Sequence, residues 1–191
     1  KELKGTELSG KNLGLIGYGR IARSISVVAK ALGMNIHCYD PYISREITNE
    51  DDCIVHNNID DVFKNCTHIS VHCNLNEETY HLVNEERIEM MPEYGSDGIK
   101  CGRHVVNCAR GGLVDEKSIF TTLENGVLSS AALDVFEKEP LNLSPLLSQE
   151  NFHGTPHIGA STIEAQSRIG EEMVILLKDF FDGEKPHSTI N

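Results

Sequence analysis

Short apolar runs rich in branched residues alternate along the chain with stretches whose apolar positions recur every three or four residues. The first kind predicts strands at Leu13–Ile16, Asn35–Tyr39, Cys53–Val55, His68–His72, Val105–Asn107, Ser130–Asp134 and Phe152–Thr155. Strands that alternate with helical stretches read as repeated βαβ units, so the fold class is α/β, a doubly wound parallel sheet with helices on both faces.

The helical stretches carry their own punctuation. Between the first two strands Ile21, Ile25, Val28, Ala29 and Leu32 fall at helical spacing, and Gly33 follows as a left-handed stop. Asp115 is placed to cap a helix running through about Asn125, ended by Gly126. Ser161 with Glu164 has the form of a capping box opening the last helix. Ile169, Met173, Leu176, Leu177 and Phe180 form one stripe of that helix, which predicts core packing. The polar flanks Lys1–Ser9 and Glu184–Asn191 read as hinge segments.

Composition narrows the function classes. A chain of 191 residues suits one core, and a formal charge of −12 without a basic stretch repels a phosphodiester backbone, so nucleic acid is not an expected partner. No apolar run reaches the roughly 18 to 20 residues that span a bilayer, so no membrane association is expected and the chain reads as cytoplasmic. The cysteines Cys38, Cys53, Cys66, Cys73, Cys101 and Cys108 form no Cys-x-x-Cys pair and read as free thiols. His153 and His157 stand at helical spacing, but Gly154 and Pro156 forbid a helix between them, and no metal site is expected.

The first crossover carries a chemical signal. Gly17-Tyr18-Gly19-Arg20-Ile21-Ala22 is a Gly-x-Gly-x-x-Ala turn between a buried strand and a helix, the Rossmann-type arrangement for a pyrophosphate. Gly17 permits the turn, Gly19 leaves room for the backbone to approach a phosphate, and Ala22 lets the helix lie close to its strand. Asp40 ends the second strand, where a carboxylate accepts both hydroxyls of an adenosine ribose and repels a 2′-phosphate. With Arg45 the only nearby cation, the expected cofactor is NAD rather than NADP. A methyltransferase can show the same turn and the same acid.

Later strand ends separate these classes. Arg110, at the end of Val105–Asn107 and before Gly111 and Gly112, sits where open α/β sheets bind ligands, and its fork matches a carboxylate. A single arginine is more often a surface ion-pair partner. His157 stands at another strand end, as the natural proton carrier near neutral pH, and Glu139 follows a third strand as a carboxylate suited to orient it. One histidine among nine is more often structural.

These segments, in this order after the glycine turn, resemble the D-isomer-specific 2-hydroxyacid dehydrogenase family from about Glu7 to Asn191. The resemblance implies that Arg110 binds the substrate carboxylate and carbonyl, His157 is the acid/base and Glu139 its partner. It also implies cofactor contacts from Arg20, Ile21, Asp40, Cys73, Cys108, Ala109, Arg110, Asp134, His157, Gly159 and Ala160. A small-molecule 2-hydroxy or 2-oxo acid substrate and a homodimer through this domain are further implications.

Within the family, Asn107–Gly112, His157–Thr162 and Glu164–Gln166 lean toward the members acting on 3-phosphoglycerate. Glyoxylate or hydroxypyruvate reductases and dinucleotide-sensing corepressors share the trio. Asn74 stands where the family usually has proline, and Pro92–Lys100 is longer than usual, with little effect on chemistry expected. The family's substrate domain has no counterpart in the chain, so the expectation is a fragment that binds NAD and turns over poorly or not at all.

Overall fold

The computed structural model describes residues 5–43, 51–141 and 143–184. Arg45 and the outer parts of both flanks, residues 1–4 and 185–191, lie outside them. The chain divides into two compact units, Lys1–Pro156 and His157–Asn191, each taken by itself below.

In the first unit seven strands form one sheet: β1 (Asn12–Ile16), β2 (Asn35–Tyr39), β3 (Ile54–Val55), β4 (His68–Val71), β5 (His104–Asn107), β6 (Ser130–Leu133) and β7 (Phe152–Gly154). Every pairing is parallel, in the order β3-β2-β1-β4-β5-β6-β7. All seven expected strands are present. Three stop one residue early, at His72, Asp134 and Thr155, whose N–H groups still donate to Ile16, Asn107 and Leu133 as the chain turns away.

Helix α1 (Arg20–Ala31) follows the glycine turn and ends at Gly33, whose φ of +82° is the left-handed stop. Its sheet-facing residues are Ala22, Ser26 and Ala29. The expected apolar stripe lies largely elsewhere, with Ile21 70 % exposed and Val28 and Leu32 also open. Small side chains bring a helix axis close to a sheet, which leaves the larger ones off the contact. Helices α2 (Ile59–Asn65), α3 (Glu85–Met90) and α4 (Glu116–Glu124) are capped by Asn58, Asn84 and Asp115, whose side chains accept N–H bonds from the first turns. Gly126, at φ +70°, closes α4 as expected.

Alternation along β1 separates the core in two. Leu13 and Leu15 pack with Tyr18, Ala22, Ile36 and Cys38. Ile16 packs with Val62, Phe63, Ile69, Val71, Val105, Ile119 and Leu133. The long Pro92–Lys100 segment docks beside the amino ends of β1 and β2, the rim opposite the carboxyl ends of the strands. There Lys11, 1 % exposed, donates to Asp97 Oδ2 at 2.5 Å and to the Ser9 carbonyl. Ser96 donates to the Gly10 carbonyl and accepts from Asn35.

The second unit is built on α5 (Ile163–Phe181). Its cap is Thr162, whose Oγ1 accepts from Ala165 N–H at 3.1 Å, one residue later than the expected Ser161. Ser161 is used instead in the preceding turn, donating its N–H to Ile158. No residue of α5 is buried, and Ile169, Met173, Leu177 and Phe180 are exposed, so the expected core packing of that stripe is corrected. Amphipathic spacing shows that a helix has an apolar side, not what covers it.

Candidate cofactor and active site

The β1–α1 turn is held from several directions. Gly17 adopts φ +84°, and a Cβ there would lie 2.8 Å from the Cys73 backbone nitrogen, so the turn presses against the loop after β4. The Gly17 N–H donates to the Tyr39 carbonyl, and the Tyr18 N–H donates to Asp40 Oδ2 at 2.8 Å. The other Asp40 oxygen accepts from Tyr42 N–H. Buried Tyr18 donates its hydroxyl to Ser26 on α1, and burial raises its pKa above the ordinary phenol value. The first turn of α1 has neither a side-chain cap nor an acidic residue, so its N–H groups and positive dipole end are suited to a phosphate.

A cavity of about 640 Å³ opens where β1 and β4, neighbours in the sheet, send their chains in opposite directions. That parting is where open α/β sheets place their ligands. Gly17, Gly19, Asp40 and Cys73 line it together. Arg20 and Ile21 instead line a shallow apolar groove along the outer side of α1.

The cavity also takes in Asn74, noted in the sequence as a departure from proline, and Tyr39, His72, Asn76, Thr79 and Arg87, which carried no site expectation. Asn76 and Thr79 shape the loop after β4. The Asn76 side chain accepts from the N–H groups of Glu78 and Thr79, and Thr79 Oγ1 donates to the Asn74 carbonyl at 2.7 Å. The closed turn holds its form with Asn74 in place of proline. Such Asn-x-x-Thr wrapping is a local signal legible in principle. Arg87, by contrast, is engaged by Asp60 and the Leu82 carbonyl. Burial pushes the Cys73 thiol up to about 11 and lowers His72 to about 4.

The turn after β5 is built differently. Asn107, 1 % exposed, accepts from Ala109 N–H and donates to the Arg110 carbonyl, both at 2.9 Å, wrapping Cys108–Arg110 around its own side chain. Gly111 follows, and a Cβ there would collide with the Phe136 carbonyl, so only glycine lets this turn lie on the chain leaving β6. Arg110 is exposed and donates to the Ala109 carbonyl. Glu139 accepts from Phe136 N–H at 3.0 Å. Asp134, almost fully buried, accepts from Thr155 Oγ1 at 2.5 Å. Burial, aided by the Asp134 charge, raises the Cys108 pKa.

His81, Asp115 and Glu137 bring ligating atoms within 4.8 Å of one another. Their hydrogen bonds are those of a structural network. Asp115 caps α4 through Lys117 and Ser118, and Glu137 accepts from His81 and from Glu116 N–H. Burial, with Glu137 and Asp115 adding repulsion, raises the Glu116 pKa.

His157, Gly159 and Ala160 belong to the second unit, in the turn that precedes α5. His157 has φ +54°, a left-handed conformation that costs a non-glycine residue on the order of 1 kcal/mol and that gathers at functional turns.

The first unit fits a dinucleotide on its own terms. An added Cβ at Gly19 would meet no protein atom within 4 Å, which keeps clear the space a pyrophosphate needs, and Asp40 stands at the same cavity. Residues 1–159 match the family described as D-isomer specific 2-hydroxyacid dehydrogenase, NAD binding domain. The chain belongs to that family, and NAD is its cofactor.

D-3-phosphoglycerate dehydrogenase of Methanocaldococcus jannaschii is 42 % identical over 191 residues, all of this chain and 35 % of the relative. Hydroxypyruvate reductase of Thermotoga maritima is 43 % identical over 177 residues, covering 91 % of this chain and 54 % of the relative. Among solved structures, D-lactate dehydrogenase from Aquifex aeolicus, complexed with NAD and lactic acid, superposes with TM-score 0.82 at 32 % identity over 96 % of this chain and 57 % of that one. The chain thus spans about a third to a half of the length of the curated relatives it matches.

Proposed function

We propose that the complete protein oxidises a D-2-hydroxy acid with NAD, and that the acid is 3-phospho-D-glycerate, oxidised to 3-phosphohydroxypyruvate in the phosphorylated route to serine. The observation that carries the reading is the cavity at the β1/β4 parting, where the glycine turn, Asp40 and the loop after β4 meet, in a chain of this family. The substrate choice rests on the relatives named D-3-phosphoglycerate dehydrogenase, 36 to 42 % identical over the whole chain. The hydroxypyruvate reductase, at 43 % identity, favours a second reading in which the same domain reduces a short 2-oxo acid.

Bound NAD supplies the hydride acceptor. Gly17, Gly19, Arg20 and Ile21 would flank its pyrophosphate, Asp40 its adenosine ribose, Cys73 and Cys108–Arg110 would lie along the cofactor, and Asp134, helped by the His157–Ala160 turn, would hold the nicotinamide carboxamide. Arg110 holds the substrate carboxylate and draws charge onto the oxygen at C2. His157 takes the hydroxyl proton during oxidation and returns it during reduction, with Glu139 stabilising the imidazolium. The 191-residue chain alone binds NAD and turns over little.

Full-length protein assayed with NAD against a panel of D-2-hydroxy acids, by absorbance of reduced nicotinamide, should turn over 3-phosphoglycerate preferentially. Preference for glycerate or glyoxylate would select the reductase reading. His157→Ala should lower kcat by a factor of about 100 or more with NAD affinity kept, and a near-normal rate would remove His157 from the chemistry. Sedimentation of the full-length protein tests the homodimer that the family resemblance implies.

A further inference from the structure

Cys38 and Cys53 have no part in the cofactor chemistry above. Cys38 lies in β2, fully buried and two residues before Asp40, while Cys53 immediately precedes β3 and is half-buried. Parallel pairing sets His37 opposite Ile54 and Cys38 opposite Val55, so Cys53, two residues before Val55, falls on the sheet face of Cys38. Cys53 packs on the buried cluster that contains Cys38, and each thiol shifts the titration of the other.

We propose that Cys38 and Cys53 form a dithiol that a low-molecular-weight disulfide oxidises to an intrachain bridge, fastening the carboxyl end of β2 to the lead-in of β3 and weakening the grip on NAD. Cys53 is the attacking thiol. The neighbouring Cys38 thiol holds its pKa below the ordinary value, the Tyr18 hydroxyl and the Lys30 charge adding to this against burial and Asp51. It is also the more exposed of the two.

In the first step the Cys53 thiolate attacks one sulfur of the small disulfide, making a mixed disulfide and releasing one small thiolate. In the second, Cys38 loses its proton and attacks the Cys53 sulfur, the Cys38–Cys53 bond forms, and the second small thiolate leaves. Two protein thiols are oxidised and one small disulfide is reduced to two thiols. In the reduced protein the same contact with Cys53, with burial, holds the Cys38 pKa far above the ordinary value. Capping Cys53 removes that part of the opposition, so Cys38 becomes reactive when its attack is needed.

The link to NAD rests on the reading that Asp40 takes the ribose hydroxyls. Closing a sulfur–sulfur bond of about 2.05 Å in place of a non-bonded contact draws on β2 next to Asp40. The carboxylate that meets Tyr18 and Tyr42 N–H is thereby displaced.

The 191-residue chain, reduced and then equilibrated with oxidised glutathione, should yield a Cys38–Cys53 cross-linked peptide lacking two hydrogens. Its NAD affinity by calorimetry should fall about tenfold and recover with dithiothreitol. Cys53→Ser and Cys38→Ala should bind NAD like the reduced protein and show no response to the oxidant. Bridges joining other cysteines, glutathione adducts without a bridge, or a Cys38–Cys53 bridge with unchanged NAD affinity would each overturn the proposal. Asp40→Asn in the reduced state separates the two readings: normal NAD affinity there removes Asp40 from ribose recognition, while the peptide masses report on the bridge independently.

Discussion

The turns that follow β1 and β5 both lead from a buried strand end through glycine into a helix, yet they are secured in opposite ways. The first is tied to its neighbours: Gly17 abuts the Cys73 backbone, and Tyr18 N–H reaches across to Asp40 on β2. The second is wound around the Asn107 side chain, and its glycines then meet other segments, Gly111 lying against the Phe136 carbonyl and Gly112 accepting from His81 N–H. If Asp40 takes the ribose as proposed, the first turn shares that carboxylate and its geometry is coupled to the cofactor. The backbone of Cys108–Arg110 in the second turn is held by the asparagine of its own strand end.

The largest expected effect is at Gly111. Gly111→Ala puts a methyl group on the Phe136 carbonyl and should cost about 3 kcal/mol or more in denaturant unfolding; a stable Ala variant would show that the second turn has slack. Gly17→Ala adds left-handed strain and a contact with Cys73 backbone, for about 2 kcal/mol of stability. It should also cost NAD affinity by calorimetry, which Gly111→Ala, where it folds, should largely spare.

Asn107→Ala leaves the Ala109 N–H and the Arg110 carbonyl without their partner, at about 1 to 2 kcal/mol. In the full-length enzyme it should raise KM for the 2-hydroxy acid more than for NAD. Asp40→Asn, the smallest in stability, should weaken NAD binding by roughly tenfold, about 1.4 kcal/mol. Equal effects of Asn107→Ala and Asp40→Asn on NAD would erase the distinction between the turns.

Acid should tell on the first region. Burial lowers His37, His68 and His72 to about 4 from 6.5, with His56 also opposing protonation of His37, and His104 and Lys11 that of His68. The unfolded chain therefore binds protons that the folded one refuses. The stability this confers is intact above pH 6.5 and is lost as pH falls toward 4. His72→Gln, which removes one of these groups beside the cavity, should flatten the decline in denaturant midpoint over that window.

Periodicity and strand-end residues made the sheet legible, because β-rich runs and glycine or asparagine punctuation are local properties. Boundaries slipped by one residue at His72, Asp134 and Thr155, where the last ladder bond depends on a neighbouring strand. The cap of α5 moved from Ser161 to Thr162 because two adjacent hydroxyl residues compete for one role. Gly17, Gly19 and Asp40 were readable as a group because their spacing is dictated by one crossover. The Asn107 wrap and the Gly111 contact were not, since each is defined by what lies beside it. Apolar spacing marked α1 and α5 as helices correctly, but the core packing expected of the α5 stripe is absent, as Phe180 shows, and spacing alone did not tell which side of α1 is buried.

The clasp between Lys11 and Asp97 makes a reporter of one amine. An acylating reagent meets Lys64 and Lys100 readily at the surface, whereas the Lys11 nitrogen is shielded until residues 92–100 lift away. The rate at which Lys11 acquires label would therefore time the opening of that rim, at the amino ends of the strands.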